Sequence, residues 1–324
     1  MAEKKGSKNN SNEEKAGNTA EIVEDLTPLR RQCGAMAAHF RLLETDDNFR
    51  TIQASLEEET KARLARGTDA FRTTTVTIPV VVHVVYMTPQ QNISAAQIKS
   101  QIKVLNRDFR AKNTDKTKVP PVWKGLVGDA NIEFALATTD PDGNSTNGIT
   151  RTKTTRTTPF GTNDSVKRAA EGKAAWATDS YLNIWVCPLI GGLLGYAQFP
   201  GGPAETDGVV INYKAFGTSG TAQAPFNLGR TTTHEVGHYL NLRHIWGDTE
   251  DCSGTDFVRD TPNAAGPNAG KPVFPRISCS NGPNGDMFMN YMDYVDDEAM
   301  FMFTVEQVAR MQATLDGFRS ALGT

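Results

Sequence analysis

The stretch from Thr233 to Asp248, T-H-E-V-G-H-Y-L-N-L-R-H-I-W-G-D, constrains this chain more than any other part of it. His234 and His238 are four residues apart, so on an α-helix their imidazoles leave one face about a turn apart and can reach a single metal ion. Glu235 sits beside the first, placed to touch a metal-bound water without being a ligand. In a continuing helix His244 would lie about 9 Å beyond His238 along the axis, yet zinc–nitrogen bonds of roughly 2.0–2.1 Å require all three rings to meet at one point. The helix must therefore end between His238 and His244, and the chain must turn back. Asn241 stands where a left-handed residue is needed, and Asn is a common non-glycine choice there. With five histidines in the whole chain, composition alone would produce this spacing on the order of once in ten thousand sequences. Three histidine ligands without a fourth leave an open position for water, which is the catalytic kind of zinc site.

The rest of the chain reads as an α/β layer around that motif. Thr75 to Tyr86 (TVTIPVVVHVVY) is β-branched and nearly continuously apolar, like a strand buried on both faces. Ser94 to Phe109 places Ile98, Ile102, Leu105 and Phe109 at helical spacing behind a Ser cap. Further strands are expected at Ile132 to Thr138, Tyr181 to Val186, Leu194 to Phe199 and Gly208 to Ile211, and a helix between Ser165 and Trp176. This order predicts a mixed sheet. From Gly247 to about Met289 the chain is rich in Gly, Pro, Asp and Asn and lacks periodicity, a length of irregular backbone that marks function or an external staple. Thr304 to Leu322 opens with a Thr cap and Glu306 and reads as a terminal helix.

Upstream the style differs. Residues 1–26 are polar and offer almost nothing to bury, so they are expected to be disordered. Pro28 to Phe49, with Leu29, Met36, Phe40 and Leu43 near helical spacing, and Ile52 to Leu64 predict short helices that cannot form a core of their own. Ala65 to Arg72 is small, polar and basic, the kind of linker where proteolytic nicking concentrates.

Several function classes are excluded or left without support. The net charge is −3, which gives no electrostatic reason to expect a nucleic-acid partner. The longest apolar stretches, Ile78 to Tyr86 and Ile184 to Ala197, are interrupted and fall short of the roughly 20 residues of a membrane span. No secretory signal is visible, so either the chain stays inside the cell or its signal lies outside this sequence. Four cysteines, Cys33, Cys187, Cys252 and Cys279, are too few for a disulfide scaffold but allow one or two bridges.

The histidine motif resembles that of the metzincin metallopeptidases, HExxHxxGxxH followed by a Met-turn, with Asn241 in the glycine position. A closer resemblance, running from about residue 28 to the end, is to the pappalysin family in its cytophagalysin/ulilysin-like branch. It is carried by His244-Ile245-Trp246-Gly247-Asp248, by Cys252 with Asp256 to Pro262 (DFVRDTP), by Asn290-Tyr291-Met292-Asp293-Tyr294, by Met302-Phe303-Thr304 with Arg310-Met311, and by Leu193 to Ala197. The resemblance implies a metzincin-type α/β (α+β) catalytic domain. Its upper half would hold a twisted mixed sheet and the active-site helix, its irregular lower half would end in a C-terminal helix, and a mostly helical prosegment would precede it. The implied division is 27–72 as inhibitory prosegment and 73–324 as catalytic domain.

By the same resemblance His234, His238 and His244 hold a catalytic zinc, Glu235 is general base and then proton donor, and Tyr294 stabilises the tetrahedral intermediate. Met292 lies under the metal as the Met-turn residue. Leu194, Gly195, Tyr196 and Ala197 form the edge that binds an extended protein or peptide substrate. Cys252 and Cys279 pair to brace the long loop, while Ala299 stands where relatives have a cysteine of a second bridge. Asp256, Asp260 and Thr261 offer hard oxygen donors for calcium. Cys33, in Arg31-Gln32-Cys33-Gly34, would occupy the open zinc position and keep the chain latent until cleavage near Arg63, Arg66 or Arg72. Family members often favour a basic residue after the scissile bond, but no motif here fixes that pocket. The implied protein is a secreted monomeric endopeptidase. Two other readings stay open at the level of residues, a metal-binding protein without peptidase activity and a zinc hydrolase of non-peptide amides. Cys187, His39 and His83 are read as structural.

Overall fold

The computed structural model describes residues 1, 30–65 and 74–323. The expected polar tail beyond Met1 and the linker from Arg66 to Arg72 lie outside the described residues. Strand β1 (Val76–Tyr86) is the axis of the fold. Its β-branched run is buried on both faces by separate apolar layers, Val80, Val82 and Val84 in one and Val85 in the other, and it has parallel neighbours at each edge, β4 (Leu182–Cys187) at one and two successive strands at the other. Those two are β2 (Ile132–Leu136), paired with Val76 to Val80, and β3 (Ile149–Lys153), paired with Val82 to Tyr86. β6 (Val209–Asn212) continues the sheet in parallel, and β5 (Gly195–Ala197) closes it as an antiparallel edge, giving the order β2-β1-β4-β6-β5. The sheet is mixed, as expected.

Two expectations fail for local reasons. β3 went unpredicted because its sequence, ITRTK, is polar, and none of its residues is fully buried. The helix expected between Ser165 and Trp176 is a single 3-10 turn, Ser165–Lys167. Beyond it the chain folds back, with Gly172 N donating to Arg168 O at 2.7 Å and Lys173 N to Val166 O at 3.0 Å, which spends the backbone groups a helix would have used.

Helix α3 (Ala95–Asp108) is capped by Ser94, whose side chain accepts from Gln97 N, and packs with α4 (Arg230–Tyr239) on one face of the sheet. The N-terminal helices α1 (Ala35–Thr45) and α2 (Asp47–Leu64) are divided at Asp46, which is extended and caps α2 through Phe49 N. α1 buries Ala35, Met36, Ala38, His39 and Leu42, so its buried face is rotated from the one expected, and Phe40 is exposed. α1 lies against β5, and α2 lies on α5 (Val305–Asp316). α5 has the expected Thr304 cap with Glu306 in its first turn, its capping box is closed by Gln307, and it ends short of Leu322. In the long loop after His244 the regular structure among the described residues is β7 (Ala269–Gly270), paired with β8 (Tyr294–Val295). The loop is tied by a Cys252–Cys279 disulfide with Cα atoms 5.4 Å apart.

Candidate active site

The local sequence of α4 produces the turn its histidines demand. Leu240 N still donates to Val236 O, but Asn241 enters the left-handed region at φ 73° and Leu242 N turns back to Gly237 O at 2.9 Å. Arg310 Nε donates to Asn241 O at 2.6 Å and holds the turn from α5. The reversal brings His244 to the other two imidazoles. The three Nε2 atoms form a nearly equilateral triangle with edges of 3.2, 3.1 and 3.1 Å. A tetrahedral ion with bonds of roughly 2.0–2.1 Å needs edges of about 3.3 Å.

The outer nitrogens decide what that triangle is. His234 Nδ1 faces Tyr291 O at 2.7 Å, His238 Nδ1 faces Leu242 O at 2.8 Å, and His244 Nδ1 faces Asp248 Oδ1 at 2.5 Å. Each of these partners is an acceptor, so each ring carries its proton on Nδ1 and turns a bare Nε2 lone pair inward. Three lone pairs aimed at one point repel unless a cation lies between them. Burial and the mutual repulsion of the rings hold the His234 and His238 pKa values well below the ordinary range, which keeps them neutral as metal ligands must be. Met292 is fully buried against α4 at Gly237. A Cβ on Gly237 would come within 2.5 Å of its sulfur, so glycine is required where α4 crosses the Met-turn.

Cys33 completes the group. Its Sγ and the three imidazoles could hold a metal ion together, with all four ligand atoms within 4.8 Å of one another. Cys33 Sγ also lies 3.4 Å from Glu235 Oε2. Burial pushes the Glu235 carboxyl up to about 8. The edge strand stands equally close, since a Cβ on Gly195 would approach Glu235 Cγ to 2.9 Å. Tyr294, in β8, places its ring 4.9 Å from His244 and 5.8 Å from His234, and its hydroxyl 3.5 Å from Cys33 O.

The N-terminal segment crosses this centre as an added strand. Leu194 N donates to Gln32 O at 3.0 Å and Gly34 N to Gly195 O at 2.9 Å, with Cys33 bridged to Gly195 in parallel. On one side of Cys33, Arg31 enters a buried pocket where Nη2 meets Asp297 Oδ1 at 2.6 Å, Nη1 meets Thr231 Oγ1 at 3.0 Å and Nε meets Val295 O at 3.2 Å. The other Asp297 oxygen accepts from Leu228 N and Arg230 N, at 2.8 and 3.3 Å, and so caps α4 itself. On the other side, Arg41 pairs with Asp164, Glu57 with Arg310 and Arg63 with Asp316.

The sequence-predicted residues His234, Glu235, His238, His244, Cys33, Met292, Tyr294 and the β5 edge thus converge. Asp256 and Asp260 lie apart from them. Asp256 accepts from Val258 N and Thr261 Oγ1, while Asp260 accepts from Thr304 Oγ1 and Glu306 N and so caps α5. Asp297, Thr231 and the depth of Arg31 escaped the sequence reading, since no local spacing links residues 266 apart. The one available signal was a second arginine directly before the Gln-Cys pair.

The family model described as "Pregnancy-associated plasma protein-A", peptidase family M43, matches residues 162–316. An extracellular metalloprotease of Pyricularia oryzae is 32% identical over 299 residues, which is 89% of this chain and 90% of that protein. Among solved structures, a promirolysin mutant of Tannerella forsythia is 48% identical with a TM-score of 0.84, covering 90% of this chain and 97% of the other. Mature mirolysin of the same organism, solved with a cleaved peptide, is 54% identical with a TM-score of 0.76, covering 78% and 97%.

Proposed function

The chain belongs to the pappalysin family of metallopeptidases, and from that premise we propose that it is a zinc endopeptidase kept latent by its own residues 27–72. Residues 73–324 are then the catalytic domain. The observation that carries this reading is the placement of Cys33 Sγ with the three Nε2 atoms, beside Glu235. A thiolate is a soft zinc ligand and would fill the position that hydrolysis needs open.

When bound by the three imidazoles, zinc supplies Lewis-acid polarisation of the scissile carbonyl and of water. Glu235 takes the proton of the attacking water and passes it to the leaving amine. Tyr294, freed from Cys33 O, turns its hydroxyl toward the oxyanion. The β5 edge, freed from Gln32 and Gly34, offers Leu194 N and Gly195 O to an extended peptide. The vacated Arg31 pocket, floored by Asp297, receives a basic side chain after the scissile bond. Asp248, Tyr291 O and Leu242 O hold the imidazole rings in register.

Calcium belongs to the same proposal as a second ion. Asp256 and Thr261 would serve it first, and Asp260 joins only by releasing α5. Work outside the cell is supported by relatives named extracellular metalloproteases and by the disulfide. Among the described residues no helix is long and apolar enough to cross a membrane.

The test is casein digestion by the activated chain, with and without a zinc chelator, beside Glu235→Ala. Activity that survives in Glu235→Ala with zinc bound, or survives the chelator, refutes the proposal.

A further inference from the structure

The segment that crosses the cleft buries Arg31 on one side of Cys33 and sets Arg41 on the other. On the other side, Arg41 Nη2 pairs with Asp164 Oδ2. Asp164 belongs to the body of the fold and is built into it. It is buried, its backbone is left-handed at φ 61°, and its inner oxygen Oδ1 holds Lys167 Nζ at 2.8 Å. Lys167 is buried too. It donates to Thr206 O at 2.6 Å and lies 4.9 Å from the ring of Tyr196, a residue of the β5 edge.

The two oxygens of this carboxylate therefore have different owners. Oδ1 belongs to a fixed internal pair, whereas Oδ2 belongs to a side chain that departs with the N-terminal segment. Arg41 is itself about a third exposed, so the partner of Oδ2 reaches solvent while the carboxylate stays buried. A cavity of about 570 Å³ opens here between Arg41 and Leu42 on α1 and Asp164, Lys167 and Thr206. Arg168 and Glu205 stand at its margin, one charge of each sign. Loss of α1 would open this cavity, leaving Asp164 Oδ2 in its wall without Arg41.

We propose that Asp164 forms a second substrate subsite, which selects an arginine or lysine a few residues before the scissile bond, across the metal from the Asp297 pocket. This rests on the reading of the chain as an endopeptidase whose segment 27–72 leaves. Arg41 lies six helical residues past Ala35, about 9 Å at 1.5 Å each, plus the short stretch from Cys33. An extended substrate covers that distance in roughly three to five residues. Charge-assisted bonds from arginine to carboxylate give such a subsite its discrimination.

The experiment uses the full chain, activated, with loss of the segment verified by mass. Peptides share one sequence with arginine after the scissile bond and carry arginine, citrulline or alanine in turn at the second to fifth positions before it. At one position arginine should exceed citrulline, its neutral isostere, by roughly tenfold in kcat/KM. In Asp164→Asn that ratio should fall to about one. Should Asp164→Asn not fold because Lys167 is left buried without its partner, the double variant Asp164→Asn/Lys167→Gln removes both charges together and gives the same readout. Equal rates for arginine and citrulline at every position overturn the subsite, as does a ratio that survives in the variants. Failure to cut any peptide overturns the endopeptidase reading instead.

Discussion

Arg31→Ala should make the uncleaved chain active. The guanidinium is buried against a fully buried Asp297 and makes three contacts to oxygen, at 2.6, 3.0 and 3.2 Å, and one to Met300 Sδ at 3.7 Å. Removing one partner of a buried ion pair costs about 3–5 kcal/mol because the other charge is stranded. Here the stranding is partial, since Asp297 keeps the amides of Leu228 and Arg230. The loss of docking energy is therefore set at about 2–4 kcal/mol, which shifts the docking equilibrium of the segment by roughly 30- to 1,000-fold. The assay is hydrolysis of a quenched fluorescent peptide by the full chain, with intact mass checked before and after so that only uncleaved protein is counted. Basal turnover should rise at least about 30-fold over wild type, with Arg31→Lys between the two, because an ammonium keeps the charge but not the three-way donor geometry. Turnover equal to wild type in Arg31→Ala, alongside full release in Cys33→Ala, would show that the thiol alone maintains latency and would refute the argument from the pocket.

Three further outcomes follow from the same geometry. Tyr294→Phe in the activated chain should lower kcat by roughly a hundredfold with KM little changed, and a kcat within about twofold of wild type would remove the tyrosine from the reaction. Gly237→Ala drives a methyl into Met292 Sδ and should cost about 1–3 kcal/mol, read as a Tm lowered by about 2–4 °C per kcal/mol together with a reduced zinc content. An unchanged Tm would mean that Met292 yields freely. Burial raises the Asp256 carboxyl to about 7, above its unfolded value, so its stability contribution is complete below about pH 4 and is lost as pH rises through about 7. Asp256→Asn, which keeps acceptors for Val258 N and leaves Thr261 its bond to Val258 O, should flatten that decline in urea melts. If calcium binds there, millimolar calcium should flatten it in wild type as well.

What the sequence made legible was whatever a short spacing encodes. The four-residue interval of His234 and His238 and the excess length before His244 foretold a helix that had to stop, and Asn241 at φ 73° is the stop. The β-branched run of β1 foretold a doubly covered strand. Polar β3 was invisible because its pairing with β1 comes from position and not from its own side chains. The helix expected after Ser165 failed because apolar spacing there competes with a backbone that closes on Val166 O. Arg31 with Asp297, and Arg41 with Asp164, are pairs made by docking one part of the chain on another. Charge on two distant polar residues says nothing about whether they meet, so no window along the sequence could reveal them.

Each of the three imidazoles keeps its proton on the outer nitrogen. Because carbonyls and a carboxylate pin those three protons in place, the rings have no tautomeric choice to make when an ion arrives or leaves. The centre is a socket cast before it is filled. Which divalent ion occupies it is then a matter of supply and of affinity for nitrogen, with little reshaping to discriminate among candidates. Cobalt(II) should therefore seat in the same frame as zinc, and its visible spectrum would report directly whether sulfur or water holds the fourth position.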